Sequence, residues 1–338
     1  MEKVFVTGTP GWLGNQVVKG LIQGLSDFPD LPRASFVRCL VLPGMDTSEL
    51  QKIPHIEIVK GDITDPETLK GLLNGCDTVL HCAGLIHPKK IQDLYKVNTE
   101  GTKNVLHEAI QSGVKRFVAI SSNSPAGVNL SREKLMTEND PYQPYKHYGK
   151  SKMLAEKILM DAHQSKKIET VILRPCWFYG PGQPARQSEF FVMIKKGHPP
   201  LFGDGHNLRS MSYIDHVVQG LILGAIVPKA AGEIYWIADE RPYETIEIYQ
   251  TLAELLEVKN LKFLKIPGIV SECFEIADTI LQTLGIYNTK IHVAGEMNKN
   301  IACSVEKAKR ELGFDPKITL KEGMQRSLSW CRDHGQII

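Results

Sequence analysis

The chain of 338 residues is 42% hydrophobic and 23% charged, with a formal net charge of +2, an ordinary globular composition able to bury a large core. A balance so near neutrality gives no electrostatic footing for nucleic acid or a membrane surface, and no apolar run approaches the ~20 residues needed to span a bilayer. The seven cysteines (Cys39, Cys76, Cys82, Cys176, Cys273, Cys303 and Cys331) lie at no metal-ligand spacing, which predicts no metal site and fits reduced thiols in a cytoplasm.

The opening stretch MEKVFVTGTPGWLG enters a strand at once and shows neither the apolar core nor the cleavage site of a signal peptide. LGNQVVKGLIQGL then reads as a helix. FVRCLVLPG, IEIVKGDITD and TVLHCAG are continuous apolar runs, which suit strands buried on both faces of a parallel sheet. NTEGTKNVLHEAIQSG is an amphipathic helix that Gly113 is placed to stop. RFVAISS and ETVILRP are further strands, separated by the helix YGKSKMLAEKILMDAH. This alternation predicts an α/β Rossmann fold, a doubly wound parallel sheet, over residues 1–175.

Beyond Cys176 the alternation loosens. FYGPGQPARQ and GHPPLFGDGHN are rich in Gly and Pro and read as loops. YIDHVVQGLILGAIV is helical, and 210–240 is expected to pack back on the sheet. Residues 176–209 and 241–330 are expected to form a smaller, mostly helical substrate lobe. The apolar helix IPGIVSECFEIADTILQTLGI is expected to pack on that lobe.

Chemistry concentrates at strand ends. VTGTPGWLG sets Gly8, Gly11 and Gly14 between the first strand and the first helix. There a tight turn and a helix N-terminus, including the Trp12 and Leu13 amides, suit a pyrophosphate. In KHYGKSKMLAE, Tyr148 precedes Lys152 by four residues, so both share one helix face.

The wide glycine spacing followed by YGKSK resembles the extended short-chain dehydrogenase/reductase family of NAD-dependent epimerases and dehydratases. The resemblance runs through GDITD, HCAG, VNTEGTKNVL, SSNSPAG, LRPCWFYGPGQ and KAKRELGFDP, nearly the whole chain. It implies that Tyr148 is the acid/base, that Lys152 stabilises its phenolate and bonds the nicotinamide ribose, and that Ser122 positions the substrate oxygen, with Ser124 as the alternative. It further implies adenine contacts from Asp62 and Ile63, close cofactor approach at Cys82, Ala83 and Gly84, a ribose-side role for Asn98, and Pro175 against the carboxamide. Asn98 could equally cap the helix that follows it.

Departures bear on cofactor and substrate. The second strand ends in LVLPGMD, where Leu42 takes the place of the expected acidic residue, Asp46 lies farther on and Arg38 is inside the strand. This favours NAD and leaves NADP open. Trp177 stands where nucleotide-sugar enzymes carry asparagine, and Asn123-Ser124 replaces the Asp-Glu of dehydratases, which speaks against dehydration. Arg209 matches the arginine that such enzymes place on a phosphate, and Arg186 could join it. The nearest likeness is to the branch of 3β-hydroxysteroid dehydrogenases and dihydroflavonol reductases, where in some relatives a helix like IPGIVSECFEIADTILQTLGI touches membrane.

The expected function is therefore hydride transfer between nicotinamide and a secondary alcohol or ketone of hydroxysteroid or dihydroflavonol type. Trp177, Phe178, Phe190 and Phe191 would supply aromatic surface for it. The alternatives are a nucleotide-sugar 4-epimerase and, from another class, a non-catalytic dinucleotide sensor. The expected partner is a small molecule rather than nucleic acid, and Met153 and Ile158 suit a homodimer through paired helices.

Overall fold

The strands alternate between two cores. The computed structural model describes residues 1–338. Its first half runs β1 (Lys3–Thr9), α1 (Trp12–Gln23), β2 (Phe36–Val41), α2 (Ser48–Gln51), β3 (Ile56–Lys60), β4 (Thr78–His81), α3 (Ile91–Leu94), α4 (Thr102–Gln111), β5 (Arg116–Ile120) and α5 (Lys146–Gln164). Next come β6 (Glu169–Pro175), β7 (Trp177–Tyr179), α6 (Ala185–Lys195), β8 (Pro200–Phe202), β9 (Leu208–Arg209), β10 (Met211–Tyr213), α7 (Ile214–Ile226) and β11 (Ile234–Ile237). The chain closes with β12 (Tyr243–Glu244), α8 (Thr245–Leu255), β13 (Leu264–Ile266), α9 (Gly268–Thr283), α10 (Thr289–Glu296), α11 (Glu306–Leu312) and α12 (Leu320–Asp333).

Seven strands form one parallel sheet in the order β11-β6-β5-β4-β1-β2-β3. Val4 and Val6 enter the core on one face and Phe5 the core on the other, as the strand period of two requires. The order reverses direction between β1 and β4, which opens a crevice at their carboxyl ends. This is the doubly wound Rossmann fold that the apolar runs predict, flanked by a more helical C-terminal part.

Helix α7 is apolar around most of its circumference, with Ile214, Val217, Val218, Leu221 and Ile222 all buried. It lies in the core shared by α1 and the sheet, and β11 adds the edge strand beside β6. α9 turns an unusual side inward. Its buried side chains are Ser271, Asp278 and Gln282, while Ile269, Ile276, Ile280 and Leu284 are exposed. The helix sits on the lobe with its polar side inward and does not bury its apolar stripe there.

Candidate active site

Backbone conformation builds the first wall of the crevice. Gly8 has a φ of 87°, and a Cβ on it would lie 2.7 Å from the Cys82 carbonyl carbon. A Cβ on Gly14 would lie 2.5 Å from the Gly8 carbonyl oxygen, so the turn, α1 and the end of β4 close on one another only with glycine there. Gly11 is the N-cap of α1, no side chain caps the helix and its first turn holds no acidic residue. The free amides that begin with Trp12 and Leu13 therefore present a positive helix end to the crevice. These residues fit a dinucleotide pyrophosphate.

The other wall is the start of α5 against the ends of β4, β5 and β6. Ser122 and Ser124 are buried, and the Ser124 amide donates to Ser122 Oγ at 3.3 Å. The Asn123 amide bonds the Pro175 carbonyl at 3.1 Å, which ties this loop to the end of β6. Burial pushes the Tyr148 phenol up to about 12, Ser122 hydrogen-bonding pulls it back, and the Glu296 charge raises it further.

Lys152 Nζ donates to the Ile120 carbonyl at 2.7 Å. Burial brings its ammonium down to about 8, against the opposing pull of Glu156 and Cys82. A Cβ on Gly84 would come within 3.7 Å of that nitrogen, so Lys152 borders the bare backbone after β4.

Asn98 departs from its reading as a helix cap. Its Oδ1 accepts from the Leu85 amide at 2.7 Å, and its Nδ2 donates to the Leu85 carbonyl at 2.9 Å and Ser151 Oγ at 3.0 Å. It lies within a π-helical stretch continuous with α4 and caps nothing. Its side chain clasps the β4 loop to α5. Asp62 sits past β3 with Oδ1 on the Thr64 amide at 2.8 Å, and Ile63 is buried against Gly101. Ala83 follows Cys82 along the same strand end, and burial pushes the Cys82 thiol up to about 12.

The aromatic group is part core and part open surface, with Trp177 left 41% exposed. Phe191 is in the core at 2% exposure. Phe190 packs on Trp177 and Tyr249 at ring distances of 5.5 and 5.4 Å, and Phe178 meets Trp12 edge-on at 6.3 Å. These rings mostly cover one another. Arg186 is exposed on α6, and its charge reaches His87 and Tyr287. Arg209 donates to the Glu296 carbonyl.

Several site residues carried no sequence signal. Tyr287 bonds His87 Nδ1 through its hydroxyl at 2.9 Å. His292 Nδ1 lies 2.8 Å from Asp278 Oδ2, and its Nε2 lies 3.7 Å from Glu296 Oε1. Tyr145, the N-cap of α5, stands 5.8 Å from the His292 ring. Only Tyr145 had a clue, its place just ahead of YGKSK.

Residues 5–267 match the pattern of the 3-beta hydroxysteroid dehydrogenase/isomerase family. The chain belongs to this family. It is an NAD(P)-dependent enzyme of the extended short-chain dehydrogenase/reductase class. Protein y4nL of Sinorhizobium fredii is 45% identical, with 98% of this chain and 96% of that one covered. The UDP-glucose 4-epimerase of Vibrio cholerae is 28% identical over 96% of this chain and 94% of its own. DesIV, a dTDP-glucose 4,6-dehydratase from Streptomyces venezuelae solved with NAD and TYD bound, is 26% identical. It superposes with a TM-score of 0.79 over 98% of this chain and 97% of that chain.

Proposed function

We propose that this family member moves a hydride to and from a secondary alcohol carbon of a nucleotide-sugar-type substrate, with 4-epimerisation as the reaction class. The observation that carries this reading is the polar cluster of Tyr145, Arg209, Tyr287, His292 and Glu296, whose Glu296 charge is felt at Tyr148, where a steroid would need hydrocarbon. The likeness to a UDP-glucose 4-epimerase and a dTDP-glucose 4,6-dehydratase supports it.

The Gly8–Gly14 turn, Asp62, Ile63, Gly84 and Pro175 would hold NAD, which would supply a reversible hydride acceptor. NAD is favoured over NADP because Arg38 is engaged by Glu57 and the Leu72 carbonyl. Asp46 is turned onto Ser48 and is not offered to a ribose. Tyr148 takes the hydroxyl proton as the ketone forms, and Ser122 steadies the oxygen and the phenolate by hydrogen bonding. The Lys152 charge stabilises that phenolate and positions the ribose side of the site. Arg209 anchors a substrate phosphate by a charge-assisted bond, which an enzyme that turns its ketone over and returns the hydride requires. Loop residues Asn123 and Ser124 supply no carboxylate for dehydration.

Protein purified without added cofactor should retain NAD, bind UDP at micromolar concentration and interconvert UDP-glucose and UDP-galactose. Tyr148→Phe should keep its dinucleotide and lose nearly all turnover; undiminished activity would sink the assignment. A second reading, oxidation of a hydrophobic alcohol, is favoured by the family pattern itself and by Trp177 at the asparagine position. An empty cofactor site that ignores UDP, with turnover of a 3β-hydroxysteroid on adding NAD, would establish it instead.

A further inference from the structure

α9 is inverted relative to an ordinary surface helix, which turns its apolar stripe toward the core. Burying a carboxylate and an amide costs free energy unless each finds partners, and the inward side of α9 is organised to supply them. Gln282 Oε1 accepts from the His147 amide at 3.3 Å, and Gln282 Nε2 donates to Asp278 Oδ2 at 2.8 Å. Asp278 in turn orients His292, which reaches Glu296 one turn further along α10. Lys146 adds a second tie, through its ammonium to the Glu275 carbonyl at 3.4 Å and to Thr279. The α9–α10 hairpin is thereby bonded to the residues immediately before Tyr148.

The His292–Glu296 face is enclosed by site elements. Tyr145 flanks His292 on the α5 side. Tyr287 stands 5.5 Å away on the other side and bonds His87 of the β4 loop. Glu296 keeps 24% of its side chain exposed within this ring of residues. Its charge raises Tyr148, Tyr145 and Tyr287 alike, each chiefly held up by burial. Two polar atoms of the same enclosure, Tyr145 Oη and Asp278 Oδ1, are buried without a hydrogen-bond partner. Each such unsatisfied buried group costs about 1–3 kcal/mol.

We propose that Glu296, oriented by the Asp278–His292 pair, is a substrate-binding residue that accepts a hydrogen bond from a ring hydroxyl neighbouring the carbon served by Tyr148. This rests on the nucleotide-sugar reading and specifies it: the subsite takes a polyol ring, whose hydroxyls both donate and accept. Tyr145 Oη and Asp278 Oδ1 are the groups such hydroxyls would satisfy. A carbocyclic hydrocarbon placed there would leave a carboxylate, an imidazole and a phenol facing apolar surface. His292 keeps the Glu296 carboxylate turned inward.

Calorimetric titration with UDP and with UDP-glucose separates the hexose subsite from the diphosphate site. Glu296→Gln should weaken UDP-glucose about ten- to hundredfold, as expected for a lost hydrogen bond to a charged group, and leave UDP affinity unchanged. The retained UDP affinity is also the control for folding. His292→Asn should weaken UDP-glucose in the same selective way. Histidine side-chain NMR should show the His292 resonance moved by UDP-glucose and not by UDP. Equal weakening of both ligands, or no change in either, overturns the subsite while leaving the nucleotide-sugar reading intact. Wild-type protein that ignores UDP and turns over a 3β-hydroxysteroid, at a rate Glu296→Gln does not alter, overturns both.

Discussion

Beneath the site, Glu156 and Arg174 are buried as a pair. Arg174 Nε and Nη2 donate to the two Glu156 oxygens at 3.0 and 2.6 Å, and Ser121 donates to the same carboxylate. Such a pair contributes little net stability while intact, but removing one partner strands the other. Glu156→Gln should lower unfolding stability by about 3–5 kcal/mol in urea titration, and it should depress the Lys152 ammonium further. His81 is the second residue with a measurable signature. Its ring nitrogens meet Thr7 Oγ1 at 2.9 Å and Thr102 Oγ1 at 3.0 Å, and burial carries it from 6.5 down to about 3. Between those values the unfolded chain binds the extra proton, so stability falls as pH falls, by about 1.4 kcal/mol per pH unit for each such group. His87, brought down to about 4 chiefly by burial, acts with the same sign. Thermal midpoints measured from pH 7 to pH 4 should drop less steeply in His81→Gln than in the wild type.

Helices of similar apolar content behave oppositely because they face opposite ways. Leu221 on α7 is fully buried, and Leu221→Ala should cost about 2–5 kcal/mol. Ile276 on α9 is 61% exposed, and Ile276→Glu should change stability by about 0.5 kcal/mol or less. A loss of several kcal/mol in that variant would show that the stripe is buried in solution. α5 depends on a single missing methyl group. A Cβ on Gly149 would lie 2.4 Å from the Ser124 carbonyl oxygen and 3.1 Å from the Pro144 carbonyl carbon. Gly149→Ala should therefore lever the first turn of α5 away from Ser122, costing about 1–3 kcal/mol by overpacking. Its turnover should fall at least about tenfold, the order expected for a displaced reacting group, with dinucleotide still bound.

Across the whole molecule the sheet and the lobe share one core. Val4, Val118 and Trp236 of the sheet belong to the same buried cluster as Phe191, Leu201, Tyr249 and Leu252 of the lobe. No seam of solvated surface divides them. Calorimetry should show a single thermal transition, with loss of near- and far-ultraviolet dichroism coinciding. Two resolved transitions would mean that the lobe unfolds independently.

The sequence alone determined the sheet, the glycine turn and the Tyr148–Lys152 face, because each is local. Apolar runs specify buried strands, glycine permits the turn, and four residues of spacing fix a shared helix side. Its aromatic residues read as a substrate wall, yet composition does not say whether Phe190 and Phe191 pack on a ligand or on each other. Periodicity likewise marks the apolar stripe of α9 without saying which way it turns. Tertiary structure decided that question, because Asp278 and Gln282 gain buried hydrogen bonds to His292 and the start of α5 only if the polar side faces in. The same folding brought His292 against Tyr145 from a distant part of the chain. No local pattern records such a meeting, since it arises from how the α9–α10 hairpin is bonded to the start of α5.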